Sequence, residues 1–342
     1  GLGLCSVRFA IDVTWPLTVA GHNYLILGTG PAAASVGREL AERKDLHVNI
    51  NGFIRFPGDP ETPDCGGPVL GQVDDLYTLA MERGIRTVVV ALEDRRGRLP
   101  MDQLVRLRVN GTEIQDAAST LSALQGRVSL ETLHPSWFVF SDGFRRSRWV
   151  LGTKTVSDIF LALIALAISA PVMLLVALVV RLDSPGPVLY RQKRVGRKGR
   201  DFDLLKFRSM SVDAERNGAI WATVNDPRVT RAGRWLRKFR LDELPQLINV
   251  LRAEMSFVGP RPERPEFVEL LRRQIPYYDE RHSVRPGITG WAQVSYTYSS
   301  SIDDTRRKLE YDLFYLKNMS LWFDIVIVID TVRTVLTGHG AR

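Results

Sequence analysis

A chain of 342 residues, 45% apolar and 25% charged, has material for two folded domains with cores of their own, which excludes a low-complexity or disordered polymer. Its formal net charge of +8 is unevenly placed: residues 181–240 carry 16 Lys and Arg against 6 Asp and Glu, net +10, leaving about −2 elsewhere. Such a segment can face nucleic acid, an anionic membrane leaflet or a polyanionic small substrate, and charge alone excludes none of them.

Residues 1–20 are a mixed apolar stub with neither initiator Met nor signal-peptide pattern, expected to be the remnant of an upstream membrane or linker region. Cys5 and Cys65 stand far apart with no CxxC spacing, which gives no sign of a disulfide framework or zinc site and suits a reducing, cytosol-facing setting.

Residues 21–145 read as an α/β domain. The apolar run 24–27 predicts a strand, Gly28-Thr29-Gly30-Pro31 a turn, 33–43 a helix and 48–54 a second strand. After a Pro/Gly-rich loop, DDLYTLAMERG and IRTVVVAL repeat the helix–strand alternation, a Rossmann-like pattern. Gly28-x-Gly30-x-x-Ala33 is a partial dinucleotide fingerprint. The second strand, however, ends in Asn51, Gly52 and Arg55 where a ribose would want an acid, so a regulatory or scaffolding role is preferred to cofactor binding.

Residues 159–180 (IFLALIALAISAPVMLLVALVV) form an uncharged run of about 22 residues, enough to span ~30 Å of hydrocarbon. A straight crossing is disfavoured by two features. Ser169-Ala170-Pro171 interrupts the middle, and both flanks are basic: Arg145, Arg146, Arg148 and Lys154 before, Arg181, Arg191, Lys193 and Arg194 after. A re-entrant helix over 155–182, broken at Ser169 and Pro171, keeps both ends on one side.

Next, VLYRQKRVG and DFDLLKFRSM predict two strands joined at Arg197-Lys198-Gly199-Arg200. Alternation puts Phe202, Leu204, Lys206 and Arg208 on one face, where two cations clamp a pyrophosphate or merely meet solvent. Thr230 caps a predicted helix 231–240 with apolar Trp235, Leu236 and Phe239 and cationic Arg231, Arg234, Arg237 and Lys238, suited to a membrane interface or to ordinary core packing. Asp242 and Glu243 follow, just before a helix 245–253 opened by Pro245. Acids near a helix start are ordinarily dipole-stabilising. Here Lys206, Arg208, Arg240 and Arg261, the last between two prolines, supply phosphate-binding charge nearby, and an ionised carboxylate among cations can coordinate Mg²⁺ or attack phosphorus. SVRPGITGWAQVSY adds Arg285 and Trp291, a nucleotide contact or a packed loop. SLWFDIVIVIDTVRTVL is apolar but carries Asp324, Asp330 and Arg333, and is expected in the interface or against the first membrane segment.

The ordered stretches SPGPVLYRQKRVGRKGRDFDLLKFRSM, NDPRVTRAGRWLRKFRLDELPQLINVLRAEMSFVGPRP and VRPGITGWAQV resemble the bacterial sugar transferase family, the monotopic phosphoglycosyl transferases, over roughly residues 154–342. The amino-terminal half, with VSLETLHPSWFVFSDGF, resembles the Rossmann-like domain of the family's larger, exopolysaccharide-type members. The resemblance implies transfer of a sugar 1-phosphate from a UDP-sugar to undecaprenyl phosphate, with release of UMP. It assigns Asp242 as nucleophile, Glu243 as the adjacent acid associated with Mg²⁺, Arg261 as a phosphate ligand and, less directly, Lys206, Arg208 and Arg240 as further substrate-binding cations; Arg285, read from its own stretch, is added to the substrate-binding set. Where the family commonly has Ser next to Pro at the membrane break, Ala170 intervenes here.

The expected architecture is therefore an α/β Rossmann-like amino-terminal domain followed, over 146–342, by an α+β membrane-associated catalytic domain with a re-entrant membrane helix and amphipathic interfacial helices. The expected setting is the bacterial inner membrane, active site toward the cytoplasm, with a phospholipid partner. Nucleic acid is not an expected partner, because that reading ignores the apolar run; a homo-oligomer is compatible with the sequence. A nucleotide-dependent oxidoreductase lacks both the ribose acid and a hydride-transfer site.

Overall fold

The computed structural model describes residues 22–44, 47–57, 59, 65–92, 99–131, 133, 144, 147–214, 226–296 and 301–337. The expectations for residues 1–20, Cys5, Arg145, Arg146 and the side chain of Arg148 lie outside the described residues. The chain divides into two compact units, Gly1–Leu133 and His134–Arg342.

The first unit alternates β1 (Asn23–Leu27), α1 (Pro31–Glu42), β2 (Asn49–Arg55), β3 (Val69–Gln72), α2 (Leu76–Glu82), β4 (Thr87–Val90), α3 (Met101–Val109), β5 (Glu113–Asp116) and α4 (Ala117–Gln125). All neighbouring strands are parallel, in the order β3-β2-β1-β4-β5. The period of two explains the layers. Tyr24 and Ile26 face a cluster with Ala33, Val36 and Leu40 of α1 and Leu124 of α4, whereas Leu25 and Leu27 face Leu76 and Ala80 of α2 and Leu104 and Leu107 of α3. Covered on both faces, the central strands are continuously apolar rather than alternating. Gly28 at φ 109° makes the sharp exit from β1, and a Cβ there would stand 2.8 Å from Ala91 O.

The second unit opens with α5 (Arg148–Asp183), a single helix of 36 residues and about 54 Å. Its segment Trp149–Asp183 is long and apolar enough to cross a membrane and is only 11% buried in its most apolar window. The helix does not end at Ser169-Ala170-Pro171, as a full break would require, but continues through Pro171. Pro171 has no N–H to offer the Ala167 carbonyl four residues earlier; the nearby Ser169 Oγ donates to a different carbonyl, Leu166 O, at 3.5 Å. One lost hydrogen bond inside a long apolar helix does not end it.

Beyond α5, β6 (Leu189–Val195) and β7 (Asp201–Phe207) pair antiparallel, Tyr190 opposite Lys206. There follow α6 (Arg231–Lys238), α7 (Gln246–Leu251), β8 (Ser256–Val258), α8 (Pro265–Gln274), β9 (Gly287–Thr289), α9 (Trp291–Ser295), α10 (Ile302–Asn318) and α11 (Leu321–Thr337), with β8 and β9 parallel. Thr230 Oγ1 accepts from Gly233 N at 3.0 Å, the expected cap of α6. On α6, Trp235 and Phe239 are exposed and stack at 5.9 Å, while Leu236 is buried.

Both parts of α5 dock on the body. Ala162 joins Leu204, Val250 and Met255; Val176 and Val180 join Phe207 and Leu236. Lys154 Nζ pairs with Asp324 of α11 at 2.5 Å, and Asp158 accepts from Ser256 Oγ at 2.7 Å and Phe257 N at 3.2 Å. The carboxy-terminal helix thus meets the start of α5 at Lys154, and it buries Phe323, Val326 and Ile327 while exposing Leu321, Trp322, Ile325, Ile329 and Val332. Trp291 is 1% exposed, packed on Phe323 at 5.1 Å, so its ring is core rather than a surface for a base.

Candidate active site

Helix α6 ends where Arg240 adopts a left-handed conformation, φ 53° and ψ 22°, a cost for a residue with a Cβ. That reversal starts a 3-10 turn, Leu241–Glu243, and sends both acids inward, Asp242 to 7% exposure and Glu243 to 9%. Pro245 then precedes α7, whose first turn receives no side-chain cap. The acids therefore do not serve as caps.

Glu243 gathers the cations. Its Oε1 lies 2.7 Å from Arg261 Nη2 and 3.2 Å from Lys206 Nζ, and its Oε2 lies 3.5 Å from Arg240 Nη1. These come from a loop after β8, from β7 and from the end of α6, so only the tertiary fold brings them together. Asp242 makes no side-chain hydrogen bond or ion pair among the described residues. The two neighbours are driven apart electrostatically. Burial opposes ionisation of Glu243, but Arg261, Lys206 and Arg240 outweigh it and hold its carboxyl well below the usual carboxylate range. Burial raises the Asp242 carboxyl above its ordinary value, with Lys206 opposing and the Glu243 charge adding to the rise. Burial likewise lowers Lys206, against the pull of Glu243. Three cations around two acids leave a surplus of positive charge, a receptive place for phosphate oxygens.

Of the expected substrate-binding cations, Lys206, Arg240 and Arg261 converge on Glu243. Arg208 does not. Its guanidinium donates to Val180 O at 3.3 Å, Ser184 O at 2.6 Å, Ser184 Oγ at 3.0 Å and Pro185 O at 3.0 Å, closing the carbonyl end of α5. Strand alternation predicts a shared face for Lys206 and Arg208, but Arg208 lies just past the end of β7 and turns to the helix end. Arg285 is also placed elsewhere: its Nη1 donates to Thr155 Oγ1 of α5 at 2.9 Å. Arg237, read from sequence only as part of a basic helix face, stands close enough to lower Asp242, with Nε donating to Ser209 Oγ at 2.9 Å. Its place three residues before Arg240, one turn along α6, is the signal that could have found it.

A profile of the family described as "Bacterial sugar transferase" matches residues 149–338, more than half the chain and all of this constellation. The chain belongs to the bacterial sugar transferase family. Among curated members, it is 49% identical over 219 residues to the UDP-N-acetylgalactosamine-undecaprenyl-phosphate N-acetylgalactosaminephosphotransferase of Aeromonas hydrophila, covering 64% of this chain and 51% of that protein. It is 35% identical over 323 residues to the undecaprenyl-phosphate glucose phosphotransferase of Komagataeibacter xylinus, 92% of this chain and 59% of that protein. It is 34% identical over 323 residues to the UDP-glucose:undecaprenyl-phosphate glucose-1-phosphate transferase of Xanthomonas campestris pv. campestris, 92% of this chain and 66% of that protein. The chain thus spans about half to two thirds of the length of these relatives. The family match encloses Lys206, Arg240, Asp242, Glu243 and Arg261 and leaves the first unit's sheet outside it.

Proposed function

We propose that this chain transfers a sugar 1-phosphate from a UDP-sugar to undecaprenyl phosphate, with Asp242 as nucleophile. The observation that carries the proposal is the division of labour between the adjacent acids: Glu243 holds three cations and Asp242 is left without a partner among the described residues. An Asp242 oxygen attacks the β-phosphorus, the bond from that phosphorus to the bridging oxygen breaks, and UMP leaves with the electron pair. The acyl phosphate that results carries the sugar. An oxygen of undecaprenyl phosphate then attacks the same phosphorus, breaking the bond to Asp242 and restoring its carboxylate. Arg261, Lys206 and Arg240 hold the phosphoryl oxygens, and charge placed before the reaction is what phosphoryl transfer chiefly requires.

Among the described residues no cluster of three or more potential metal ligands occurs, but Mg²⁺ characteristically takes one or two carboxylates and fills its shell with water and phosphate oxygens. The free Asp242 carboxylate, with Glu243 beside it, fits that donor set. Mg²⁺ held there supplies neutralisation of phosphate charge.

The same reading includes a re-entrant α5 in the bacterial inner membrane, active site toward the cytoplasm. Its support is that two parts of the helix dock near one strand. The clusters containing Ala162 and Val176 are built on Leu204 and Phe207, about 10 Å apart along β7, whereas the two helix positions are about 21 Å apart on a straight axis. A bend at Pro171 within this continuous helix would bring the two spans together and keep both ends on one side. The first unit is read as Rossmann-like and regulatory or scaffolding. Its Gly28-Thr29-Gly30 turn is already occupied by a carboxylate: Asp59 Oδ2 accepts from Thr29 N, Thr29 Oγ1 and Phe56 N at 3.1–3.2 Å, which disfavours a pyrophosphate.

The test is UMP release from a panel including UDP-glucose and UDP-N-acetylgalactosamine, with Mg²⁺ or EDTA and with or without undecaprenyl phosphate. Sugar-selective, Mg²⁺-dependent turnover that disappears in Asp242→Asn is expected. Full turnover in Asp242→Asn rejects Asp242 as nucleophile.

A further inference from the structure

We infer that Arg281 and Asp312 are positioning residues for the phosphate-handling arm of the site: buried behind the Pro260-Arg261-Pro262-Glu263 loop, they fix the backbone of Arg261 and so aim its guanidinium. The inference rests on the proposed transferase reading.

Two of the four loop residues are prolines and have no N–H to offer, so the loop cannot brace itself as a helix or strand would. It is gripped through its carbonyls instead. Pro260 O accepts from Gly287 N at 3.0 Å, Arg261 O from Arg281 Nη2 at 3.0 Å, Pro262 O from Arg194 Nη1 at 2.9 Å and Glu263 O from Val195 N at 2.9 Å. Four consecutive carbonyls are thus met by donors from three places in the fold, β9, Arg281 and the end of β6. The outer two donors are backbone N–H groups of β9 and β6. The inner two are guanidinium forks, and the one on Arg261 itself belongs to Arg281.

Arg281 is poorly placed to meet a ligand, at 7% side-chain exposure, and its fork is fully engaged. Nε and Nη2 donate to Asp312 Oδ2 at 3.2 and 2.9 Å, Nη1 donates to Tyr278 OH at 2.7 Å, and Nη2 also reaches Arg261 O. Asp312 on α10 is 3% exposed. Burying such a pair costs several kcal/mol of desolvation per ion, and an apolar pair can fill the same volume, so its distinctive product is direction rather than stability. A planar fork locked on three partners holds one carbonyl in one orientation. What needs that direction is the long Arg261 side chain, 36% exposed, whose end meets Glu243 at 2.7 Å. A displacement of about 1 Å at such a group costs on the order of 100-fold in rate.

The experiment is a double-mutant cycle on the full chain in detergent, read by calorimetric binding of inorganic pyrophosphate and by UMP release. Arg281→Lys keeps the charge and loses the fork; Arg261→Lys keeps the charge and loses the aimed guanidinium. Each single variant is expected to weaken pyrophosphate binding about 10-fold, and the double variant no further than Arg261→Lys alone, because the two residues act in series. If Arg281→Lys does not fold, Asp312→Asn, which leaves an oxygen facing Nη2, takes its place in the cycle with the same expectation. Losses that multiply in the double variant overturn the inference and make the pair a general brace. Absence of pyrophosphate binding by the wild type overturns it as well. A cycle that closes as expected while the wild type releases no UMP from any UDP-sugar leaves the positioning role standing and rejects the transferase reading.

Discussion

Arg261 Nη2 stands 2.7 Å from Glu243 Oε1, joining a loop confined by two prolines to the buried turn that follows α6. The contact makes Glu243 a counter-ion shared by residues from three separate segments. Replacing it by Gln keeps the shape and leaves three cations facing one another, so Glu243→Gln is expected to lose about 2 kcal/mol of stability at neutral pH, less than a wholly buried pair because Arg240 and Arg261 are partly exposed. The pH dependence has a definite sign. The folded carboxyl lies below its unfolded value, so its contribution is present above that unfolded value of about 4.3 and is lost as pH falls toward the folded pKa. Urea midpoints of both proteins, measured from pH 7 downward, should converge only in the acid range.

Asp242 should behave oppositely. Burial raises its folded carboxyl, so its stabilising contribution belongs to the protonated form and is lost as pH rises from the unfolded value of about 3.9 through the raised folded one. At neutral pH, Asp242→Asn removes that cost and is expected to raise the melting temperature by about 1–3 °C while abolishing UMP release. The acid limb of wild-type turnover should lie above the ordinary aspartate range.

The Lys154–Asp324 pair joins the start of α5 to α11 across 170 residues of sequence, with both side chains near 10% exposure. Lys154→Met strands a buried carboxylate and is expected to cost about 3 kcal/mol; adding Asp324→Leu should recover most of it. Thermal melting of the three variants in detergent distinguishes this from simple additivity.

Ile168 is 74% exposed near the middle of the apolar helix. If that surface sits in hydrocarbon, Ile168→Asp adds about 2.5–3.5 kcal/mol to membrane association and should move the protein from floated vesicles to the soluble fraction. The isolated substitution touches none of the Glu243 ligands, so a change confined to flotation is the expected outcome.

Local and periodic features were legible from sequence because they depend on neighbours in the chain. The first strands and helices of the first unit, the strand pair on either side of Gly199, the cap at Thr230 and the helical state of the apolar run through Ile168 all follow from spacing. Asp242 and Glu243 were legible as a pair because adjacency is itself a sequence property. Their division of labour was not. That depends on Lys206 from a strand, Arg240 from a left-handed helix end and Arg261 from a proline-framed loop meeting one carboxylate, and no local pattern encodes which cation reaches it. The same limit separates Lys206 from Arg208, two positions apart and alike in charge: one finds Glu243, the other finds the open carbonyls at the end of α5, because unsatisfied backbone acceptors also draw a guanidinium. Ser169 and Pro171 show the converse. A proline marks where one hydrogen bond must be missing, but whether a helix stops there is decided by the body that holds its two flanking parts.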